Sequence, residues 1–339
     1  MFRILHNTHI DFIRLRRQAA IVIAVLILPG VAMTLIRGFN YSVEFTGGTL
    51  MQVEFTSPTP PRISEVRDAL ADAGLSEVDL SEFGTAREFI FKAQEEQDVA
   101  TQAAGATTVV DRIRAALDTR FGAGSYRVEQ TEAIGPKVGS ELRGQAAIAL
   151  LIAFGLTLIY LAWRFEWRFG LAAVLATVHD IIATLAFMQY LNMEISLFVV
   201  GAILTVIGYS MNDKVVVFDR VRENLRKKRK ESLYDTLNRS VNETLPRTVM
   251  TGSTTLASLL ALLIFGGAVI RPFAWVLSFG IIIGTFSSIY VASPLLLWIE
   301  RRWPREIGDR GGVAGRLQVD QPRQAAPKPA KTKAAPTAR

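Results

Sequence analysis

The sequence predicts a polytopic α-helical membrane protein carrying a small α+β domain outside the bilayer. Three observations predict it. Half of the 339 residues are hydrophobic, and they are gathered into blocks. Six of those blocks are long enough to cross a ~30 Å hydrocarbon core as helices. The charges between the blocks alternate in kind, basic then non-basic, as an even number of spans with both termini in the cytoplasm requires.

Residues 1–18 carry four Lys/Arg against one acidic residue and form the expected cytoplasmic N-terminus. The first block, 19–36, is longer than a signal-peptide core, and no convincing small-residue cleavage site follows it. It reads as a retained helix. Residues 37–145 hold 11 Lys/Arg against 17 Asp/Glu, the composition of a soluble domain outside the membrane, here expected to be periplasmic. Five further spans lie within 146–303, at 146–163, 170–190, 195–211 (with continuation to 218 open), 249–267 and 272–299. A basic cytoplasmic loop, 212–248, holds ten Lys/Arg, whereas the connection at 190–196 has none. The Ala/Pro/Lys-rich tail, 304–339, is expected to be disordered and cytoplasmic.

Within the external domain, alternation marks strands at 49–56, near 77–83, at 87–93 and at 125–134. Two helical patterns separate them. One has Ile63, Val66 and Leu70 on one face, and the other Val109, Val110, Ile113, Leu117 and Phe121. The order βαββαβ is that of a ferredoxin-like sandwich.

Several function classes are excluded or disfavoured. Without cysteine there is neither disulfide nor thiolate metal site, and His6, His9 and His179 form no ligand pattern, so no metal or organic cofactor is expected. The basic residues lack a nucleic-acid-binding motif and read as topology and contact with anionic membrane lipids. No enzyme is expected, because the external domain has no histidine or cysteine and its carboxylates are scattered.

Polar stripes inside the spans are harder to set aside, because a charge in lipid must be paired, hydrated or near the interface. Thr205, Tyr209, Ser210, Asp213 and Arg220 fall in one sector of the fourth span, with Asn212 beside them. Arg247, Thr251, Thr254 and Ser258 follow at i, i+4, i+7 and i+11 in the fifth. Asp180 sits mid-way along the third, between Thr177 and Thr184. Such stripes point toward other helices, so two carboxylates, one arginine and several hydroxyls can converge. Gly280, Gly284 and Ser288 form a small-residue ladder for close helix packing. Bland alternatives stand beside these. Asp213 could be a hydrated cap at the membrane edge, Arg247 a positive-inside anchor, Asp180 a hydrogen-bonded structural residue, and His179 a packing residue.

The runs GFNYSVEFTGGT (38–49), GYSMNDKVVVFDRVREN (208–224), LPRTVMTGSTTL (245–256) and GTFSSIYVASPLLLW (284–298) resemble, in order and spacing, the motifs of the SecD/SecF family of bacterial protein-export proteins. Lys214 stands where that family usually has threonine, placing a cation beside a key carboxylate, and Gly252 and Ser253 interrupt its usual hydroxyl pattern. The resemblance implies a multi-pass protein of the cytoplasmic membrane, similar in plan to resistance-nodulation-division transporters. It implies pairing with SecD and work beside the SecYEG channel, with YajC and YidC, on an unfolded polypeptide late in translocation. It implies driving by the proton gradient, with sodium not excluded, and a proton path through Asp213 and Arg247. Asp180 joins that path from the stripe pattern alone. Two other expectations remain: a half-transporter for small hydrophobic molecules, and a passive scaffold for SecD.

Overall fold

The computed structural model describes residues 8–57, 59–83, 85–93, 108–227 and 231–303; the 304–339 tail lies outside the described residues. Among the described residues, six helices are long and apolar enough to cross a membrane. They comprise α1 (Arg16–Arg37), α5 (Pro136–Arg164), α6 (Trp167–Tyr190), α7 (Leu197–Lys227), α8 (Leu233–Phe265), and a last span made of α9 (Gly267–Ser287), a π-helical turn (Ser288–Ala292) and α10 (Ser293–Arg302). Between α1 and α5 come α2 (Val43–Thr46), β1 (Gly48–Phe55), α3 (Ile63–Asp72), β2 (Asp79–Phe83), β3 (Thr85–Ala93), α4 (Val109–Phe121) and β4 (Tyr126–Ile134).

The four strands form one antiparallel sheet in the order β2-β3-β1-β4. Alternate residues of the two central strands, Met51, Val53, Phe55, Phe89 and Phe91, are buried against Val66 and Leu70 of α3 and Ile113 and Leu117 of α4. Period-2 burial on strands and 3–4 spacing on helices put both apolar faces into one core. Thr108 caps α4 by accepting from the Asp111 amide at 3.2 Å. Its contacts hold the Asp111 carboxyl below its ordinary range.

Two glycines decide how this domain meets the membrane helices. Gly47 has φ +78°, and a Cβ there would lie 2.6 Å from Pro136 Cα. A Cβ on Gly139 would lie 2.8 Å from the Gly47 nitrogen. The backbones of the pre-β1 segment and the start of α5 therefore touch, which only glycine permits.

In the membrane region, α6, α7 and the last span are packed against one another, while α1, α5 and α8 leave most of their apolar surface uncovered. The 212–248 stretch departs from the loop expected of it. Helix α7 runs on to Lys227 and α8 starts at Leu233, so most of the stretch is helical. Part of its charge is spent in cross-links along the hairpin, Arg220 to Glu243 at 2.7 Å and Arg239 to Glu231, beside a neutral hydrogen bond from Asn224 to Ser240 at 3.0 Å. Composition signals topology there, but i,i+4 spacing and paired side chains make it helix.

Candidate ion-coupling site between the membrane helices

Asp180 is fully buried in the middle of α6. Its Oδ2 takes the Lys214 ammonium at 2.6 Å, a hydrogen bond from Ser287 Oγ at 2.9 Å, and one from Ser210 Oγ. Its Oδ1 faces His179 Nδ1 at 2.9 Å. Lys214 and Ser210 lie four residues apart on α7, so one face of that helix presents both to α6, and the ammonium also reaches Ser210 Oγ. Thr177 and Thr184 turn their hydroxyls onto their own helix, to Ala173 O and Asp180 O. A buried charge pair survives only when geometry and added hydrogen bonds offset desolvation, and this one has both.

Asp213, also buried, has a different partner. Its Oδ2 accepts from Thr285 Oγ1 of α9 at 3.1 Å. The helix continues fourteen residues past it to Lys227, so Asp213 is not a helix cap. Nor does Lys214 neutralise it, as adjacency in sequence suggested. Consecutive helical side chains point about 100° apart, and the ammonium goes to Asp180. Gly252 of α8 is buried where a Cβ would come within 3.8 Å of Thr285 Oγ1 and 3.9 Å of the Tyr209 hydroxyl. The glycine that interrupts the hydroxyl pattern thus leaves α8 close to this corner.

The stripe on α8 makes no direct bond to the carboxylates, although the Arg247 charge lies within electrostatic reach of Asp213. Arg247, Thr254 and Ser258 are exposed, Thr251 is partly covered, and Thr254 and Ser258 bond back to their own helix. Arg247 forms no ion pair among the described residues. On α7, Thr205 and Asn212 are also exposed, Tyr209 and Arg220 are partly covered, and Ser210 faces the opposite way, into the Asp180 cluster. A sector drawn on one helix cannot say which edge a neighbour covers. Helices α7 and α8 therefore carry an uncovered polar surface beside a buried polar cluster.

Gly280 and Gly284 both lie against α7. A Cβ on Gly280 would meet Val206 Cγ2 at 2.1 Å, and one on Gly284 would meet Ser210 Cβ at 2.9 Å. Ser288 has another job: it donates to Thr285 O at 2.8 Å and accepts on its carbonyl from Ser293 Oγ at 3.0 Å, where the helix widens into the π turn. That turn directly follows Thr285 and Ser287, the residues that touch the two carboxylates, and π turns recur at functional sites.

Ser287 and Thr285 escaped the sequence reading, while Lys214 was set beside Asp213 instead of Asp180 and His179 was read as a packing residue. The i,i+4 spacing of Ser210 and Lys214 was a usable signal for Lys214, but nothing in the chain pairs α6 with α9 at Ser287.

The sheet domain is tied to the helix that carries Asp213. Ser42 N donates to Ile195 O at 3.1 Å and Ile195 N to Asn40 O at 2.7 Å, a short parallel bridge. Glu44 Oε2 accepts from the Leu197 amide at 2.6 Å, at the first residue of α7. Lys92 of β3 pairs with Glu194 in the same connection. A carboxylate on a helix N-terminus satisfies an orphan amide and meets the positive end of the dipole. Glu44→Gln is expected to weaken this joint by about 1–2 kcal/mol. Faster amide exchange confined to residues 195–200, with the sheet unchanged, checks it.

The fold and its site define a class: a six-helix membrane protein with paired charges buried between helices and an external domain gripping the end of one of them. Comparison with known proteins narrows it. The family described as "Protein export membrane protein SecD/SecF, C-terminal" matches residues 114–302, and "SecD/SecF GG Motif" matches 33–59. A protein named Protein translocase subunit SecF from Gemmatimonas aurantiaca is 56% identical over 90% of this chain and 91% of its own length. One of the same name from Desulfurispirillum indicum is 43% identical over 87% of this chain and 93% of its own. The crystal structure of SecDF, described as a translocon-associated membrane protein from Thermus thermophilus, superposes with a TM-score of 0.76 at 35% identity over 89% of this chain. This chain spans 40% of that longer one. The chain belongs to the SecD/SecF family of protein-export membrane proteins.

Proposed function

We propose that this chain is an accessory subunit of the Sec protein-translocation machinery, one half of a SecD-containing unit, that uses the proton gradient to promote late steps of export. The observation that carries the reading is a physical connection. A buried carboxylate, Asp213, lies on the same helix whose first residue is held by the external domain through Glu44. Protonation of that carboxylate would alter how α7 packs on Thr285, and the joint at Leu197 would pass the shift to the sheet. Moving one charge through the membrane potential supplies about 2.3 kcal/mol per 100 mV, which biases a two-state element severalfold or more.

The partner chain fits the polar surface left on α7 and α8. SecD docked there would cover Arg247, Thr251, Thr254 and Ser258 and would bring the arginine into a dry setting beside Asp213. Separating and re-forming such a pair would take up a proton on one side and release it on the other. SecYEG, YajC and YidC are the proposed neighbours, an emerging unfolded polypeptide the load, and anionic lipids the contact of the basic face. The proposed location is the cytoplasmic membrane of a bacterium, with both termini inside. The proposed work is transport without catalysis. Sodium would suit the same carboxylate and hydroxyl groups.

The test is export of a reporter precursor in cells depleted of the native subunit and supplied with Asp213→Asn or Arg247→Met, with the level of the SecD complex measured in the same samples. Proton-dependent export is expected to fall at least tenfold while the complex persists. Undiminished export with an intact complex would leave the chain a passive scaffold for SecD.

A further inference from the structure

A groove of about 630 Å³ runs between α1, α6 and the end of the last span, and His179, whose ring faces Asp180, lies on its wall. Apart from His179 and Tyr290 its walls are apolar, formed by side chains such as Ile23, Ile27, Leu175 and Leu295. At one end, and only there, two cations line it, Arg16 and Arg17 at the start of α1. We propose that this groove is a binding site for one anionic phospholipid, its acyl chain along the apolar wall and its phosphate on Arg16 and Arg17.

Three features select that occupant. The groove follows α1 from Arg16 to Leu28, a rise of twelve residue steps, which is about 18 Å at 1.5 Å per residue. That is close to one leaflet of a ~30 Å hydrocarbon core, so a single lipid chain spans it with its headgroup at the arginines. A slot of about 630 Å³ already present between the three elements offers room for an acyl chain without moving them. Charge decides the headgroup. Neither Arg16 nor Arg17 forms an ion pair among the described residues, and Asp11, the acid of that segment, is taken by Tyr234 at 2.7 Å and Asn238 at 2.8 Å. A zwitterionic headgroup brings its own cation to that place, and an anionic one does not. The site narrows the lipid contact proposed above to one location, and its test reads lipid retention, not proton coupling.

The experiment is native mass spectrometry of the full-length protein in its SecD complex, released from mild detergent after equilibration with equal amounts of phosphatidylglycerol and phosphatidylethanolamine of the same chain length. Wild type is expected to retain one phosphatidylglycerol, in roughly tenfold preference over phosphatidylethanolamine. Arg16→Gln/Arg17→Gln is expected to lose that preference. Ala24→Phe, which fills the groove while keeping both arginines, is expected to lose the bound lipid of either kind. Arg226→Gln/Lys227→Gln removes the same charge from the exposed end of α7 and is expected to change nothing. Equal retention of the two lipids by wild type would overturn the proposal. So would a preference that survives in both the arginine and the Ala24 variants. Loss of export in the Asp213 variant bears on the proton reading alone and leaves this outcome untouched.

Discussion

Lys214→Met is expected to destabilise the membrane domain by about 3–5 kcal/mol, the cost of leaving one member of a buried ion pair without the other. Asp180 and Lys214 are both fully buried. With the ammonium gone, the carboxylate keeps Ser210, Ser287 and the His179 ring but has no fixed cation within reach. Methionine matches the apolar stem of lysine, so the loss reports charge and not a cavity. Removing the acid in the same chain, Asp180→Asn with Lys214→Met, is expected to recover most of the loss, because a neutral amide can still bond to the serines and replacing a whole buried pair is often neutral. Thermal unfolding of the purified protein in one detergent measures both variants and their coupling. A Lys214→Met protein as stable as wild type would mean the pair contributes nothing. The measurement also bears on function: a pair that holds α6 and α7 together sets the stiffness against which Asp213 must work.

Gly280→Ala is expected to cost about 1–3 kcal/mol, an unusually large effect for a single added methyl group. The new Cβ would fall 2.1 Å from Val206 Cγ2 and 2.8 Å from its Cγ1, and a β-branched side chain in a helix has one favoured rotamer and nowhere to turn. Helices α7 and α9 would have to separate by a fraction of an ångström or more. The contact continues at Gly284 against Ser210, so a separation also loosens the Asp180 cluster. Val206→Ala deletes both offending methyls and leaves only its Cβ, 3.0 Å from the new one, so it is expected to rescue most of the Gly280→Ala loss, although alone it leaves a small cavity. Accumulation in membranes and the unfolding midpoint of the four proteins read out the cycle. Additive losses, with no rescue, would show that the two residues do not meet.

Much of the architecture was legible because it rests on local rules. Apolar length identified each span, although α5 and α8 begin ten and sixteen residues before their apolar blocks, and alternation against 3–4 spacing separated the strands of the sheet from helices α3 and α4 to within a few residues. The chief departure came at 212–248, where charge was read as loop although most of the stretch is helical and part of its charge is spent in ion pairs along two helices. Within the site, Asp180, Asp213 and Ser210 were legible as polar residues that lipid could not accept. Their partners were not. Lys214 belongs to Asp180 on another helix, not to the Asp213 beside it, and Thr285 and Ser287 acquire their roles only through the packing of α9 on α6 and α7.

By itself, then, the sequence determined the number of spans, the topology of the external sheet and the presence of buried charge, since each depends on composition and period over a few adjacent turns. The tertiary structure alone decided which charge pairs with which, and which polar face stays buried. It also decided that the external domain holds the first turn of α7. Those outcomes depend on the rotation of one helix against another, and a difference of 100° between neighbouring residues is enough to send Asp213 and Lys214 to different partners.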